Sequence, residues 1–546
     1  MDSTVTGLAV ALLCFASAFA WWGGGCFARL ERAVDLLARR PRLAIALVGI
    51  LSFAISALVS LLVRMPQPGI HDEFSYLLAA DTFAHGRLTN PPHPLWVHFE
   101  SMHIIQQPSY ASKYPPAQGL MLAAGQVLTG YPIVGAWLST ALAAAALCWM
   151  CFAWLPPRWA VLGGFLGVIH PLLLTWSQSF WGGTVAACGG ALALGAFRRI
   201  VQGPAARDAL WLGVGLAILA NSRPYEGFVL GLILAGGLVI WLWCGRHPGL
   251  FVVFRRLVIP TSAVLVAAAA LMGCYNYRVT GDPLMMPYSV HEEAYCITPI
   301  FLWQKPRPEP AYRHQGIRDF FTGWAFDFYR RQQTLRGWLF DELRKGNTLC
   351  KWYLWYYVMI LPLLVVPAAL RQDHWLQATV LGCALFAASL LPLTWTLQPH
   401  YAAPVLGLFL LLSVQAIRHL WKWQWHGRLA GRYATRLLAV FCAGTFLLFC
   451  AHHARHDEGN SVRARMIQDL TRAGGNHLIV VRYGPRHSPH DEWVYNVADI
   501  NHSRVVWARE MDAAQNRKLL KYFSGRQIWL LKPDVKPQTL VPFSPE

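Results

Sequence analysis

The chain is 546 residues long, 55% hydrophobic and only 14% charged, a balance that excludes a large soluble enzyme and fits a polytopic membrane protein. Its formal net charge of +19 would suit a nucleic-acid partner if the cations shared one soluble face. They lie instead in the connections between apolar stretches, which excludes that class.

Twelve nearly uncharged stretches approach the length of about 18 to 20 residues that a helix needs to cross about 30 Å of hydrocarbon. They fall near 5–27, 43–63, 132–154, 159–178, 181–197, 208–222, 225–243, 257–274, 352–370, 375–394, 400–417 and 434–451. The first lacks a basic n-region and a small-residue cleavage site, so it is read as a retained helix. Arg29, Arg32, Arg39, Arg40 and Arg42 follow the first stretch, Arg198, Arg199 and Arg207 the fifth, Arg246, Arg255 and Arg256 the seventh, and Arg418, Lys422, Arg428, Arg432 and Arg436 the eleventh. Every one of these basic connections follows an odd-numbered stretch. The positive-inside rule therefore puts them in the cytoplasm, and both termini with every even-numbered connection outside. The expected organisation is an additional N-terminal helix and basic cytoplasmic loop (1–42), an all-α transmembrane domain (43–451) with outer loops at 64–131 and 275–351, and a small soluble α/β domain on the outer side (452–546).

The first outer loop is rich in proline and carries His71-Asp72-Glu73 just beyond the second stretch. Carboxylates at a bilayer boundary are often functional, and one here can take the proton of an attacking hydroxyl. The bland alternative is that Asp72 caps a helix running to Phe83, with Glu73 in its first turn. The loop ends on Lys113-Tyr114-Pro115-Pro116, where a lysine can present a point charge to a lipid phosphate or simply snorkel to the headgroups. Between them, His93, His98, Glu100 and His103 match no standard zinc spacing and read as an interfacial segment.

HDEFSYLLAADTFAHG (71–86) and KYPPAQGLML (113–122), about forty residues apart, together resemble the GT-C superfamily of membrane glycosyltransferases. The bacterial relatives of protein O-mannosyltransferases and the aminoarabinose transferase of lipid A carry an Asp-Glu helix start in the first outer loop and a Lys-Pro-Pro-like turn at its end. The resemblance implies a fold of about twelve transmembrane helices, with Asp72 as the catalytic carboxylate, Glu73 its neighbour, and Lys113 a ligand for the donor phosphate. The chain departs from the pattern in its extra first helix and in offering Ser179-Phe180-Trp181-Gly182-Gly183-Thr184 where many relatives have an acidic residue. No cofactor is assigned, and a divalent metal is left open without support from the residues.

Further candidates for the sugar or phosphate pocket are Tyr114, Arg223 and Glu226 in NSRPYEG, Arg278 in YNYRVTGDPL, His291 beside Glu292 and Glu293, and His400-Tyr401 in QPHYAAP. Arginine clamps phosphate oxygens, while Arg223 pairing with Glu226, and Arg278 anchoring at headgroups, are the alternatives. Cys148 and Cys151 read as small packing residues despite their CxxC spacing. Cys296 and Cys350 share one outer loop, and their pairing is open. The tail shows strand-like runs at His477–Tyr483, Ser503–Ala508 and Arg526–Lys532 and a helix at Met511–Tyr522, a cap or contact module rather than the seat of chemistry.

The sequence thus points to an enzyme of the inner membrane, its site facing the periplasm. It would move a sugar from a polyprenyl-phosphate donor to an acceptor hydroxyl with inversion, the acceptor being an unnamed glycan, lipid or protein. The competing classes are a transporter or flippase for a lipid-linked saccharide, and a non-catalytic membrane scaffold. Few charges within the spans and the absence of a repeat tell against the first.

Overall fold

The computed structural model describes residues 24–245, 248–395, 398–453 and 460–543. Most of the expected first span, 5–27, lies outside the described residues. Seven helices among the described residues are long and apolar enough to cross a membrane: Pro41–Leu62, Pro132–Trp154, Gly183–Gln202, Pro224–Trp243, Leu250–Thr280, Pro399–Trp421 and Ala430–Ala451. Many begin with a proline in the first turn, where its fixed φ suits the helix and its missing N–H costs nothing.

Several of the twelve expected stretches break or fall short of a straight crossing. The stretch at 159–178 is two helices, Pro157–Val168 and Pro171–Ser177, bent by 44°, because Pro171 cannot continue the first and the His170 side chain caps the second through Leu172 N (3.2 Å). Counted as one span, this pair raises the seven to eight. The stretch at 208–222 forms Ala206–Ala220 (15 residues) and that at 375–394 forms His374–Ser389 (16 residues), each about 22 to 24 Å long and short of a straight crossing. The stretch at 352–370 is interrupted at Trp355, Tyr356 and Tyr357, whose φ values of 54°, 50° and 70° are left-handed. Only the short helices Ile360–Leu363 and Val366–Leu370 follow.

Close helix packing rests on small residues. A Cβ on Gly164 would stand 2.7 Å from the Cys148 sulfur and one on Gly163 2.8 Å from that of Cys151. The two cysteines are buried free thiols filling the seam between these helices. Cys296 and Cys350 are also both free.

Above the helices, the first loop contains the helix His71–Ala84 and a two-stranded antiparallel ribbon, β1 (Ile104–Ile105) and β2 (Ala111–Ser112). The tail forms a four-stranded sheet from β3 (His477–Val481), β4 (Val505–Arg509), β5 (Gln527–Leu531) and β6 (Leu540–Pro542), in the order β4-β3-β5-β6. The first three strands are parallel, β6 is antiparallel, and helices Asn460–Ala473 and Ala513–Tyr522 accompany them. Expected strands and helix are present with ends shifted by one or two residues; β6 is additional.

One hydrophobic cluster joins tail to loop. Leu78, Phe99, Ile104 and Tyr110 of the loop pack with Leu478, Val480, Val506 and Phe523 of the tail. The tail is therefore fused onto the first loop rather than tethered beside it.

Candidate active site

The two ends of the first loop meet. The N-cap of His71–Ala84 is Ile70, with no side-chain capping bond, so the Asp72 carboxylate is spared the capping role. It accepts a short hydrogen bond from the Tyr114 hydroxyl. Tyr76, one helical turn after Asp72, stacks on Tyr114 with ring centroids 4.6 Å apart. Pro115 and Pro116, which open the helix Pro116–Thr129, fix the chain so that Tyr114 points back at Asp72.

Glu73 faces the other way. Its carboxylate is 7% exposed and accepts from Gly69 N (2.7 Å) and Phe180 N (2.9 Å). It thereby pins the Ser179–Thr184 turn to the start of the loop. Burial raises its pKa to about 7 against the pull of those two amides, and its contacts are those of a tether.

Lys113 is not a free cation at the headgroup plane. Its ammonium lies 3.4 Å from Glu292 Oε1, with the two side chains 6% and 4% exposed, and 5.0 Å and 5.4 Å from the ring centres of Tyr288 and Tyr114. Burial pushes the Glu292 carboxyl up, but the Lys113 charge and His291 outweigh it and hold it at about 2. His291 lies behind this pair, its Nδ1 3.8 Å from Glu292 Oε1, and burial lowers its pKa to about 4. Glu292, named in the sequence only as a neighbour of His291, is the residue that pairs with Lys113.

Arg223 supplies the cation that Lys113 does not. It stands at the N-cap of Pro224–Trp243, 5.0 Å from the Tyr401 ring centre, within electrostatic reach of Tyr76, Glu226, Tyr401 and Tyr114. Among the described residues its guanidinium makes no ion pair, so the expected Arg223–Glu226 pairing is a proximity rather than a bond. His400 and Tyr401 open the 3-10 turn Pro399–Val405. The His400 ring is 4.5 Å from Trp181 and 4.7 Å from Tyr401. Asp72, Tyr76, Tyr114, Arg223, Glu226 and Tyr401 thus form one cluster, with His400 at its edge. Arg278 is exposed on its helix and takes no part.

The four interfacial candidates disperse. His93 bonds Asn501 (3.0 Å), His98 the Arg509 carbonyl (2.8 Å) and Glu100 the Tyr295 hydroxyl (2.7 Å), while His103 lies 5.8 Å from His71, centre to centre. Among the described residues no three His, Cys, Asp or Glu side chains converge as a metal set. The tail meets the site directly. His71 Nδ1 is 2.7 Å from the Tyr495 hydroxyl, and Phe74 stacks on Tyr495 at 4.1 Å. The Arg509 guanidinium donates to the Glu100 carbonyl (2.7 Å) and pairs with Glu492. Nothing in the tail's spacing announced these contacts.

No family model matches the chain, and no curated protein does. Solved structures do. ArnT from Cupriavidus metallidurans bound to undecaprenyl phosphate superposes with a TM-score of 0.50 at 13% identity, over 88% of this chain and 92% of that one. The apo form of the same protein gives 0.49 at 14% identity, over 93% of each chain. An Archaeoglobus fulgidus oligosaccharyltransferase tethered with an acceptor peptide gives 0.48 at 12% identity, over 88% of this chain and 68% of that one. The first of these shows a shared fold, and the apolar helices mark a multi-pass membrane protein.

Proposed function

We propose that the chain is a GT-C glycosyltransferase of the inner membrane that moves a sugar from a polyprenyl-phosphate donor to an acceptor hydroxyl on the periplasmic face. The observation that carries the reading is the convergence of Asp72, held by Tyr114, with an arginine, Arg223, that has no ion-pair partner among the described residues. A general base and an anion ligand in one enclosed cluster are what transfer from a phosphate leaving group needs. The fold shared with an undecaprenyl-phosphate-bound transferase is consistent with it.

In this reading Asp72 takes the proton of the acceptor hydroxyl as its oxygen attacks the anomeric carbon. The bond from that carbon to the lipid phosphate breaks on the opposite face, inverting the centre. Arg223 clamps the departing phosphate, which already leaves well, and Tyr401 and Tyr114 orient the two charged groups. Lys113 acts through its pair with Glu292, shaping the wall, and not as the first phosphate ligand. Glu73 positions the Phe180–Thr184 turn.

The test uses the full chain in detergent with a radiolabelled polyprenyl-phosphate sugar. Asp72→Asn should lose transfer by about 10² to 10⁴ at unchanged thermal stability, since asparagine keeps the shape. Arg223→Gln should weaken donor use and Arg223→Lys should restore part of it. Near-parental turnover by a well-folded Asp72→Asn protein would sink the reading.

A further inference from the structure

The connection from Lys422 to Leu429 joins the apolar helices Pro399–Trp421 and Ala430–Ala451, and every residue in it is exposed. Trp423, Trp425 and Leu429 are 44%, 60% and 45% exposed, with Lys422 and Arg428 beside them. We propose that this turn is a docking site for the anionic phospholipid surface of the leaflet it faces, its indoles seated among the headgroups and its two cations against their phosphates.

The turn is built rather than slack. Trp425 and Arg428 exchange both backbone hydrogen bonds (3.0 and 2.9 Å) across His426-Gly427, whose φ values of 46° and 73° are those of a tight hairpin turn with two left-handed residues. The Gly431 amide donates to the Trp423 carbonyl (3.0 Å), and a Cβ on Gly431 would stand 1.9 Å from the Leu420 carbonyl oxygen. The hairpin is thereby drawn tightly onto the end of the helix that precedes it. Its two indoles are set edge to face, 5.8 Å apart. Little backbone freedom is left to lose on docking.

Charge selects the occupant. No Asp or Glu lies between Asp373 and Asp457 in the sequence, and the carboxylates that the fold brings to this end are engaged. Glu31 pairs with Arg158 (3.3 Å) and Arg436 (3.1 Å), and Asp35 with Arg158 (3.5 Å). Asp373 lies 3.9 Å from Arg418 and caps its own helix through Trp375 N and Leu376 N. Arg158 and Arg432 rest against the Trp421 ring, 5.4 and 5.5 Å from its centre. Lys422 and Arg428 make no ion pair among the described residues. A rigid surface that is cationic and aromatic, with no carboxylate of its own, complements an anionic membrane.

Depth separates a lipid surface from a soluble partner, since tryptophan and arginine suit protein interfaces too. The turn begins and ends on apolar helices, and folded back as a hairpin it extends about 13 Å at most beyond their ends. That keeps the indoles at or near the headgroup layer, where tryptophan and cations are both at home.

The test uses the full chain in nanodiscs, with Cys14 and the exposed Cys26, Cys244 and Cys274 replaced by serine and Gln424→Cys labelled with a polarity-sensitive fluorophore. The same protein without the introduced cysteine gives the background. Emission should shift to the blue and be quenched by brominated lipids, more strongly in phosphatidylcholine discs with added phosphatidylglycerol than in phosphatidylcholine alone. The double variant Lys422→Gln, Arg428→Gln should lose the phosphatidylglycerol-dependent part, as should the parent at high salt. Trp423→Ala with Trp425→Ala should weaken quenching in both lipids. Emission that stays that of water in both kinds of disc would overturn the docking and leave the turn to a soluble partner. Equal shifts with and without phosphatidylglycerol, or a phosphatidylglycerol effect that survives the loss of both cations, would overturn it as well. Thermal unfolding checks the fold of each variant; where the tryptophan pair fails it, the charge pair decides.

Discussion

Asp72 and Glu73 are neighbours in sequence and opposites in use, one turned to a tyrosine hydroxyl and the other to two backbone amides. Glu73→Gln should therefore act on stability, because an amide offers a single oxygen to two N–H donors and turns its own NH₂ towards one of them. A loss of about 1 to 3 kcal/mol, read as a lower unfolding temperature, is expected. Lys113→Ala should be harsher, by about 3 to 5 kcal/mol, since it strands a buried carboxylate. Adding Glu292→Gln to it should recover part of that loss; a double variant no more stable than Lys113→Ala would refute the pairing. The same pair sets a pH window. Glu292 is held at about 2 against an ordinary 4.5, so its contribution is present above about pH 4.5 and fades as the pH falls towards 2. It is worth on the order of 3 kcal/mol. Unfolding temperatures measured down this range should fall more steeply for the parent than for Glu292→Gln. Asp72 and the Lys-Tyr-Pro-Pro turn were legible because residue types at a membrane boundary carry their chemistry in the sequence. The partners of Glu73 and Lys113 were not, since a backbone amide at Phe180 leaves no trace in composition and Glu292 stands far along the chain.

At the level of elements, hydropathy located the apolar stretches but not where they break. Mean hydropathy is blind to Pro171 and to the left-handed run at Trp355–Tyr357, both of which cut a continuous apolar signal into pieces. Tail strands were readable from their β-branched runs, whereas their attachment to the first loop depends on surface shape. Glycines decide how closely the helices behind the site approach. A Cβ on Gly190 would fall 1.9 Å from the Pro404 carbonyl oxygen, and Pro404 closes the turn that presents His400 and Tyr401. Gly190→Ala should then cost about 1 to 3 kcal/mol and lower turnover by displacing Tyr401 from Arg223. Both effects are measurable on purified protein, and an alanine variant equal to the parent in both would show that the turn does not position the site.

For the whole molecule, the arginine-rich connections carry our proposal that the loop and tail stand on the outer side of the membrane. With Cys26, Cys244 and Cys274, the exposed thiols among the described residues, and Cys14 replaced by serine, a cysteine at Arg428 should escape an impermeant thiol reagent in intact cells, and one at His502 should be labelled. The opposite result would invert the orientation. Loop and tail also share a core in which Leu78 and Phe99 pack against Val480 and Val506, residues separated by most of the chain. Synthesis runs from the first to the last, so the loop bearing Asp72 emerges long before the strands that complete its interior. It must wait, with apolar side chains uncovered, until β4 and β5 arrive. A ribosome that stops early thus leaves a protein whose helices are complete but whose first loop lacks the strands that cover its apolar interior.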